Sequence, residues 1–458
     1  MLVVATTTRL PALGPAFIAS PAKTIPQLLA EFALAALVFT CLTFPAITLS
    51  SSLPWFRPEQ LALLPIGFAY LWALLAGAAR PLRWNGLMLV GLVYSLCLLL
   101  SVFYGTAVLG HEFLVRDLYE IPKALLPVAF FTFGLEVALD ERSILRILNY
   151  FSAAMLLVCL YAWAQWINLP IATRLAVLYS GGEHVEGSLS HYRRVYSTMG
   201  NPNVLGQLLS WAIVAFTLAA LFRVGPRLRN LLLTFACLVT LAMTGSRYGL
   251  LNTGLGLALI FFLPMPAKQR RFAVFALGAV LLPVFVVTAV TVAQRNQATI
   301  DRFQTLRDPM HADSLRDRLD NLWRDAGNEI AQSPLFGHGP AKSIFSEVFT
   351  DSEYLDILKE VGLLGFFVYL AYYLVPLRTL WRGLRAGAAT FDGEVPAVLW
   401  ALRFSFVMGV TALVMNIGMS TFRNQPLQGF LWLCLGIGAS AGLSLERVPG
   451  LAASPQSS

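Results

Sequence analysis

The sequence predicts an all-α polytopic integral membrane protein, and three observations carry that prediction. The 458 residues are 57% hydrophobic and only 13% charged, with a mean hydropathy of +0.67, which leaves too little polar surface to wet a soluble globule. Apolar runs of about 18 residues or more recur between charges and turn residues, enough for about twelve spans. Lys and Arg collect in alternate connections, as they do when spans are threaded back and forth through a bilayer.

The runs fall at 28–49, 60–79, 86–108, 118–138, 144–167, 199–222, 229–244, 247–264, 272–293, 353–377, 398–420 and 425–444. The 229–244 run is short, and 118–138 holds Glu120 and Lys123. One set of connections carries Arg80 and Arg83, Arg142 and Arg146, Arg223, Arg227 and Arg229, Lys268, Arg270 and Arg271, and Arg378, Arg382 and Arg385. The alternate short loops hold about one cation each: Arg57, Arg116, Arg247 and Arg423. The positive-inside rule then places both termini in the cytoplasm and the connection 169–198 and the segment 294–352 outside. The chain divides into a tail 1–27, membrane spans over 28–293, an outer loop 294–352, three spans over 353–446 and a tail 447–458.

The formal charge of +8 follows from this cation bias, so no nucleic-acid partner is expected. Cys41, Cys97, Cys159, Cys237 and Cys434 all fall within the runs without metal spacing, and read as small apolar residues. The first residues lack a charged n-region and cleavage site, so a short cytoplasmic tail is expected. No internal repeat suggests a transporter of inverted halves, and no GxxxxGK[ST] loop suggests a pump.

The segment 294–352 is too long for an idle connection. Leu315, Leu319, Leu322, Trp323, Ala326 and Ile330 form one helical face, with Ser314 as N-cap, while Ser333-Pro334, Gly337 and Gly339 end the helix. Arg318 falls on the flank of that face and Arg324 points away.

Three outer clusters could carry chemistry. Arg193-Arg194 precedes Met199-Gly200-Asn201-Pro202-Asn203, where Asn201 caps a helix and Pro202 takes its first position. Thr244-Gly245-Ser246-Arg247 is a near-zero-length turn between two spans. Arg318 and the Asp351-Ser352-Glu353 corner make the third. A membrane-surface arginine can simply snorkel, yet Arg247 stands where the charge bias disfavours a cation. Converging guanidinium groups suit a lipid pyrophosphate. Asp351 can cap the following helix. Glu353, Asp356 and Lys359 or Glu360 continue as a stripe at helical spacing, which implies a face turned to the bundle or to a wet cavity. His338 reads as a solvated loop residue or as a base. No cluster has metal-ligand spacing and no GxSxG is present.

Taken in order, Arg194-Val-Tyr-Ser-Thr-Met-Gly-Asn201-Pro202-Asn203, Thr244-Gly-Ser246-Arg247, Arg318 through Trp323 to Ser333-Pro-Leu-Phe-Gly337-His-Gly339, and Glu353-Tyr354-Leu355 to Lys359-Glu360-Val-Gly362-Leu-Leu-Gly365 resemble the bacterial O-antigen polymerase and ligase family. The resemblance implies a glycosyltransferase of the inner membrane that needs neither metal nor cofactor and works on the periplasmic face. It moves a glycan from undecaprenyl pyrophosphate to an acceptor sugar. Arg247 and Arg318 match the family arginines that hold the pyrophosphate; Arg193, Arg194, Asn203, Tyr354 and Arg423 are the accompanying substrate-binding candidates. Membrane lipid, a flippase and a chain-length regulator are the partners it implies.

The ligase branch places a histidine at the start of the following span, in an HNxYL-like run, where this chain reads Asp351-Ser352-Glu353-Tyr354-Leu355. A carboxylate, Asp351 or Glu353, is then the candidate base, which favours a polymerase of O-antigen, capsule or exopolysaccharide over transfer to lipid A-core. Pyrophosphate is a good leaving group, so charge stabilisation and acceptor orientation are the main needs. A lipid-linked oligosaccharide flippase is the alternative of another class; it would distribute charge through the midplane and break helices in both halves.

Overall fold

A computed structural model describes residues 25–45, 63, 67–68, 70, 72, 75, 84–136, 141–180, 189, 194–263, 318–340, 350–388, 396–419 and 425–446. Twelve helices are bounded among them: α1 Ile25–Thr43, α2 Gly86–Ala107, α3 Val115–Glu136, α4 Glu141–Trp166, α5 Pro170–Ser180, α6 Pro202–Phe222, α7 Arg227–Thr244, α8 Arg247–Phe262, α9 Trp323–Gln332, α10 Glu353–Ala388, α11 Pro396–Met415 and α12 Gln425–Glu446. A 3-10 turn, Ser197–Met199, precedes α6, and a π turn, Arg318–Leu322, precedes α9. Eight helices are long and apolar enough to cross a membrane: α2, α3, α4, α6, α7, α10, α11 and α12. The protein is an all-α polytopic membrane protein. The expected runs 60–79 and 272–293 lie largely outside the described residues, as do Arg193, Arg423, Ser314 and the side chain of Arg318.

The two least regular runs both form such helices. In α3 the charges neutralise each other, because Lys123 Nζ lies 2.6 Å from Glu120 Oε1, one turn away. Asp117 caps the same helix, its Oδ2 accepting the Leu114 amide at 3.0 Å. The α7 run is short because Arg227 and Arg229 begin it and the two-residue turn Gly245-Ser246 ends it.

Helix α6 lies at the centre. Its membrane window is wholly buried, including Gln207, Ser210 and Thr217, which share one face with Asn203. Asn201 caps it, Oδ1 accepting the Asn203 amide at 2.8 Å, with Pro202 at the first position. Around it Phe151 of α4 stacks on Phe216 at 5.2 Å and on Phe430 of α12 at 5.3 Å. By contrast α2 exposes Leu89, Leu92, Leu96, Leu99 and Phe103, the outward face expected toward lipid. All five cysteines are free, four of them buried.

Two expectations are corrected. The connection 169–198 is not loop throughout, since Pro170–Ser180 is helical. The run at 353–377 extends to Ala388 and is broken at Gly362, whose φ of 63° and ψ of −170° are not helical.

The connections sort to the two ends. At one end Thr198 Oγ1 donates to Leu42 O at 2.6 Å, Arg194 Nε to Thr244 O at 2.8 Å and Glu353 N to Asn416 O at 3.0 Å. At the other, Asn230 Nδ2 donates to Val224 O at 2.8 Å and Arg229 pairs with Asn149. Every candidate residue among the described ones sits at the first end.

Candidate functional site

The first two clusters form one knot. Arg194 donates from Nε to the Thr244 carbonyl and from an Nη to Asn203 Oδ1 at 2.9 Å. The same Oδ1 accepts from Ser246 Oγ at 3.2 Å, and Ser246 Oγ accepts the Gly249 amide at 3.1 Å as the N-cap of α8. Asn203 therefore ties the start of α6 to the turn that presents Arg247. Arg247 is the first residue of α8, at the positive end of the helix dipole. Tyr248, the next residue, accepts the Gly418 amide at 3.2 Å.

The turn Asn416–Gly418 then reaches the carboxylate corner. Asn416 is fully buried, its carbonyl accepting the Glu353 amide and its Nδ2 donating to Tyr369 Oη at 2.8 Å and Tyr373 Oη at 3.0 Å. Glu353 is 0% exposed, within electrostatic reach of Tyr354, Tyr369 and Tyr373. Tyr354 donates to the Leu413 carbonyl. Asp351 differs from its neighbour: it is exposed, with φ 55°. It is not the helix cap, because α10 begins at Glu353 and Ser352 holds the cap position, its carbonyl accepting the Asp356 amide at 3.0 Å. Aspartate is among the few side chains that enter the left-handed region readily.

The stripe expected along α10 is present and buried. Lys359 is 2% exposed, its Nζ 3.5 Å from Asp356 Oδ1 and 3.6 Å from Glu329 Oε2 in α9. Thr350 Oγ1 donates to Asp356 Oδ1 at 2.8 Å, and its carbonyl accepts from Trp323 Nε1 at 3.0 Å. Thus α9, which begins one residue after the turn opened by Arg318, is held to the head of α10 by an ion triad and by an indole. Arg324 points to solvent.

The stretch Ser333 to Gly339 is inserted into the break in α10. His338 N donates to Lys359 O at 2.8 Å and Gly339 N to Glu360 O at 2.9 Å, while Leu363 N donates to Pro334 O at 2.8 Å and Leu364 N to Leu335 O at 3.3 Å. The break frees two helix carbonyls and two amides, and the inserted loop takes all four. Gly337 and Gly362 are both at positive φ, and a Cβ on either would collide with the facing backbone, at Glu360 and Leu335 respectively. His338 is not a solvated loop residue. It is buried, its Nε2 2.8 Å from the Glu329 carbonyl and its Nδ1 3.0 Å from His111 Nε2. The carbonyl only accepts, so Nε2 carries a proton.

Sequence reasoning missed Asn416, Tyr369, Tyr373, His111 and Glu329. The buried polar residues inside apolar runs, Asn416 above all, were the signal available. Among the described residues no three His, Cys, Asp or Glu side chains converge as a metal site requires.

Residues 232–370 match a family model described as O-antigen ligase. The match runs from α7 to the first half of α10; it takes in Arg247, Arg318, the inserted loop and the carboxylate corner, and leaves out Arg194, Asn203 and Asn416. No curated protein sequence matches the chain. The match supports the O-antigen ligase/polymerase family and, with it, a glycosyltransferase-type activity of that general class.

Proposed function

We propose that, within the O-antigen ligase/polymerase family supported by that match, this chain is the polymerase kind. It transfers a growing glycan from undecaprenyl pyrophosphate to the terminal sugar of a lipid-linked repeat unit, on the periplasmic face of the inner membrane. The observation that carries this reading is the convergence of the Arg247 turn and the Asp351–Glu353 corner on one turn, Asn416–Gly418. A cationic subsite for the leaving pyrophosphate and a carboxylate for the acceptor hydroxyl thereby share one rigid support.

Arg247 and Arg318 stabilise the charge that develops on the pyrophosphate. Arg194 positions the Arg247 turn through Asn203 and Thr244. Of the two carboxylates Asp351 is the base, because a base must come within hydrogen-bond reach of the acceptor proton and Asp351 is exposed where Glu353 is not. The C–O bond to pyrophosphate breaks, the acceptor oxygen bonds to the anomeric carbon, and its proton passes to Asp351. His338 does not replace the histidine of the ligase branch, since both ring nitrogens already face partners.

Purified protein given only an undecaprenyl-pyrophosphate repeat unit should produce a ladder of longer lipid-linked glycans. Single transfer of finished glycan to lipid A-core without a ladder would identify a ligase, and movement of the intact lipid-linked unit across the bilayer alone would identify a flippase. Orientation is tested separately. A cysteine at exposed Leu335 should react with an impermeant thiol reagent in outer-membrane-permeabilised cells, whereas one at Arg382 should not.

A further inference from the structure

Helix α5, Pro170–Ser180, takes no part in the proposed transfer, yet it carries an apolar face of its own. It buries Ala172 and Ala176 and leaves Ile171, Leu175 and Leu178 69%, 43% and 58% exposed. At about 100° per residue these three share one stripe, with exposed Arg174 on its flank. Eleven residues rise about 16 Å, half of the ~30 Å hydrocarbon thickness, so α5 cannot cross a bilayer.

Two tyrosines tie it to the neighbouring helices. Tyr161 precedes the end of α4 at Trp166 by about 7 Å of helix rise, and its hydroxyl donates to the Ala172 carbonyl at 3.1 Å. Tyr179 donates to the carbonyl of Thr43, the last residue of α1, at 2.9 Å, and the two tyrosine rings lie 5.7 Å apart. The helix is therefore hydrogen-bonded to the closing turns of α1 and α4. Leu160, Ile167 and Leu169, in the preceding span and its exit, are exposed as well, so the apolar surface continues along the chain from the span into α5.

The geometry points to α5 as an interfacial helix seated in one leaflet of the bilayer, with Ile171, Leu175 and Leu178 among the acyl chains and Arg174 at the headgroups. Amphipathic helices of this kind lie roughly 5–10 Å into the boundary between headgroup and acyl chain. The buried side packs Ala176 with Leu189 and Tyr196, and Tyr196 is two residues beyond Arg194. The leaflet surface is thus connected to the Arg194 knot through one packed contact.

The test uses the full chain in lipid nanodiscs, with a bimane fluorophore on Leu175→Cys or Leu178→Cys and the parent protein's own labelling subtracted. Lipids carrying a nitroxide just below the headgroup should quench both positions and aqueous iodide should not, while Leu335→Cys should show the reverse. Ile171→Cys supplies a third position if one label disturbs folding. Quenching by iodide without quenching by lipid would put the stripe in water and overturn the inference. Shielding from both quenchers, with energy transfer between labelled copies, would overturn it in favour of a protein partner. No substrate is needed, so the outcome is independent of whether the transfer reading holds.

Discussion

Asn203 Oδ1 lies 2.9 Å from an Nη of Arg194 and so holds the segment entering α6 against the turn that bears Arg247. One amide oxygen joins two arginine-bearing elements nine and 43 residues apart from it to Arg194 and Ser246.

Asn203→Ala should therefore lower polymerising activity while the protein still inserts. A hydrogen bond to a charged group contributes about 1.5–3 kcal/mol, so a roughly 10- to 100-fold loss is expected in a ladder assay. Asn203→Asp should retain more activity, because its carboxylate still accepts from both partners. Equal loss in both variants would mean that the bond to Arg194 is not what matters.

Arg247→Ala and Arg318→Ala should each remove a charge-assisted contact to the leaving pyrophosphate. Each such contact is worth on the order of 2–4 kcal/mol in the transition state. Lysine at either position should restore only part of the rate, since the planar fork is lost. Normal polymer from both alanine variants, measured at matched membrane levels, would reduce these arginines to interfacial anchors.

Asp351→Asn and Glu353→Gln should separate the two carboxylates. Asparagine enters the left-handed region as readily as aspartate, so Asp351→Asn should leave thermal stability unchanged while the ladder is lost. Glu353→Gln alters a fully buried group beside Asn416 and should shift the melting temperature. Unimpaired activity in Asp351→Asn would move the base to Glu353.

Lys359→Met should be among the most destabilising single changes at the end of the bundle that holds the candidate site. It strands Asp356 and Glu329, 3.5 and 3.6 Å from the ammonium, and removing one partner of a buried ion pair costs about 3–5 kcal/mol. Adding Glu329→Gln should recover part of that loss, because one stranded charge is removed. Melting curves of the two proteins in detergent provide the measurement, and identical curves would show that Glu329 does not feel Lys359.

The membrane class and most of the spans are legible in the sequence, because burial in lipid demands long apolar helices that a single chain displays directly. Asn201 as a cap and the stripe of Glu353, Asp356 and Lys359 follow from local spacing for the same reason. What only the tertiary structure decided is which residues meet. The Arg194–Asn203–Ser246 knot, the His111–His338 pair and the support of Glu353 by Asn416 join residues distant in the chain, and no periodicity encodes such pairings. The glycines at 337 and 362 show the limit most clearly. In the sequence each is a turn or a flaw in a helix; in the fold they are the two sides of one joint, because four backbone groups left open by the break in α10 require a second strand of chain to satisfy them.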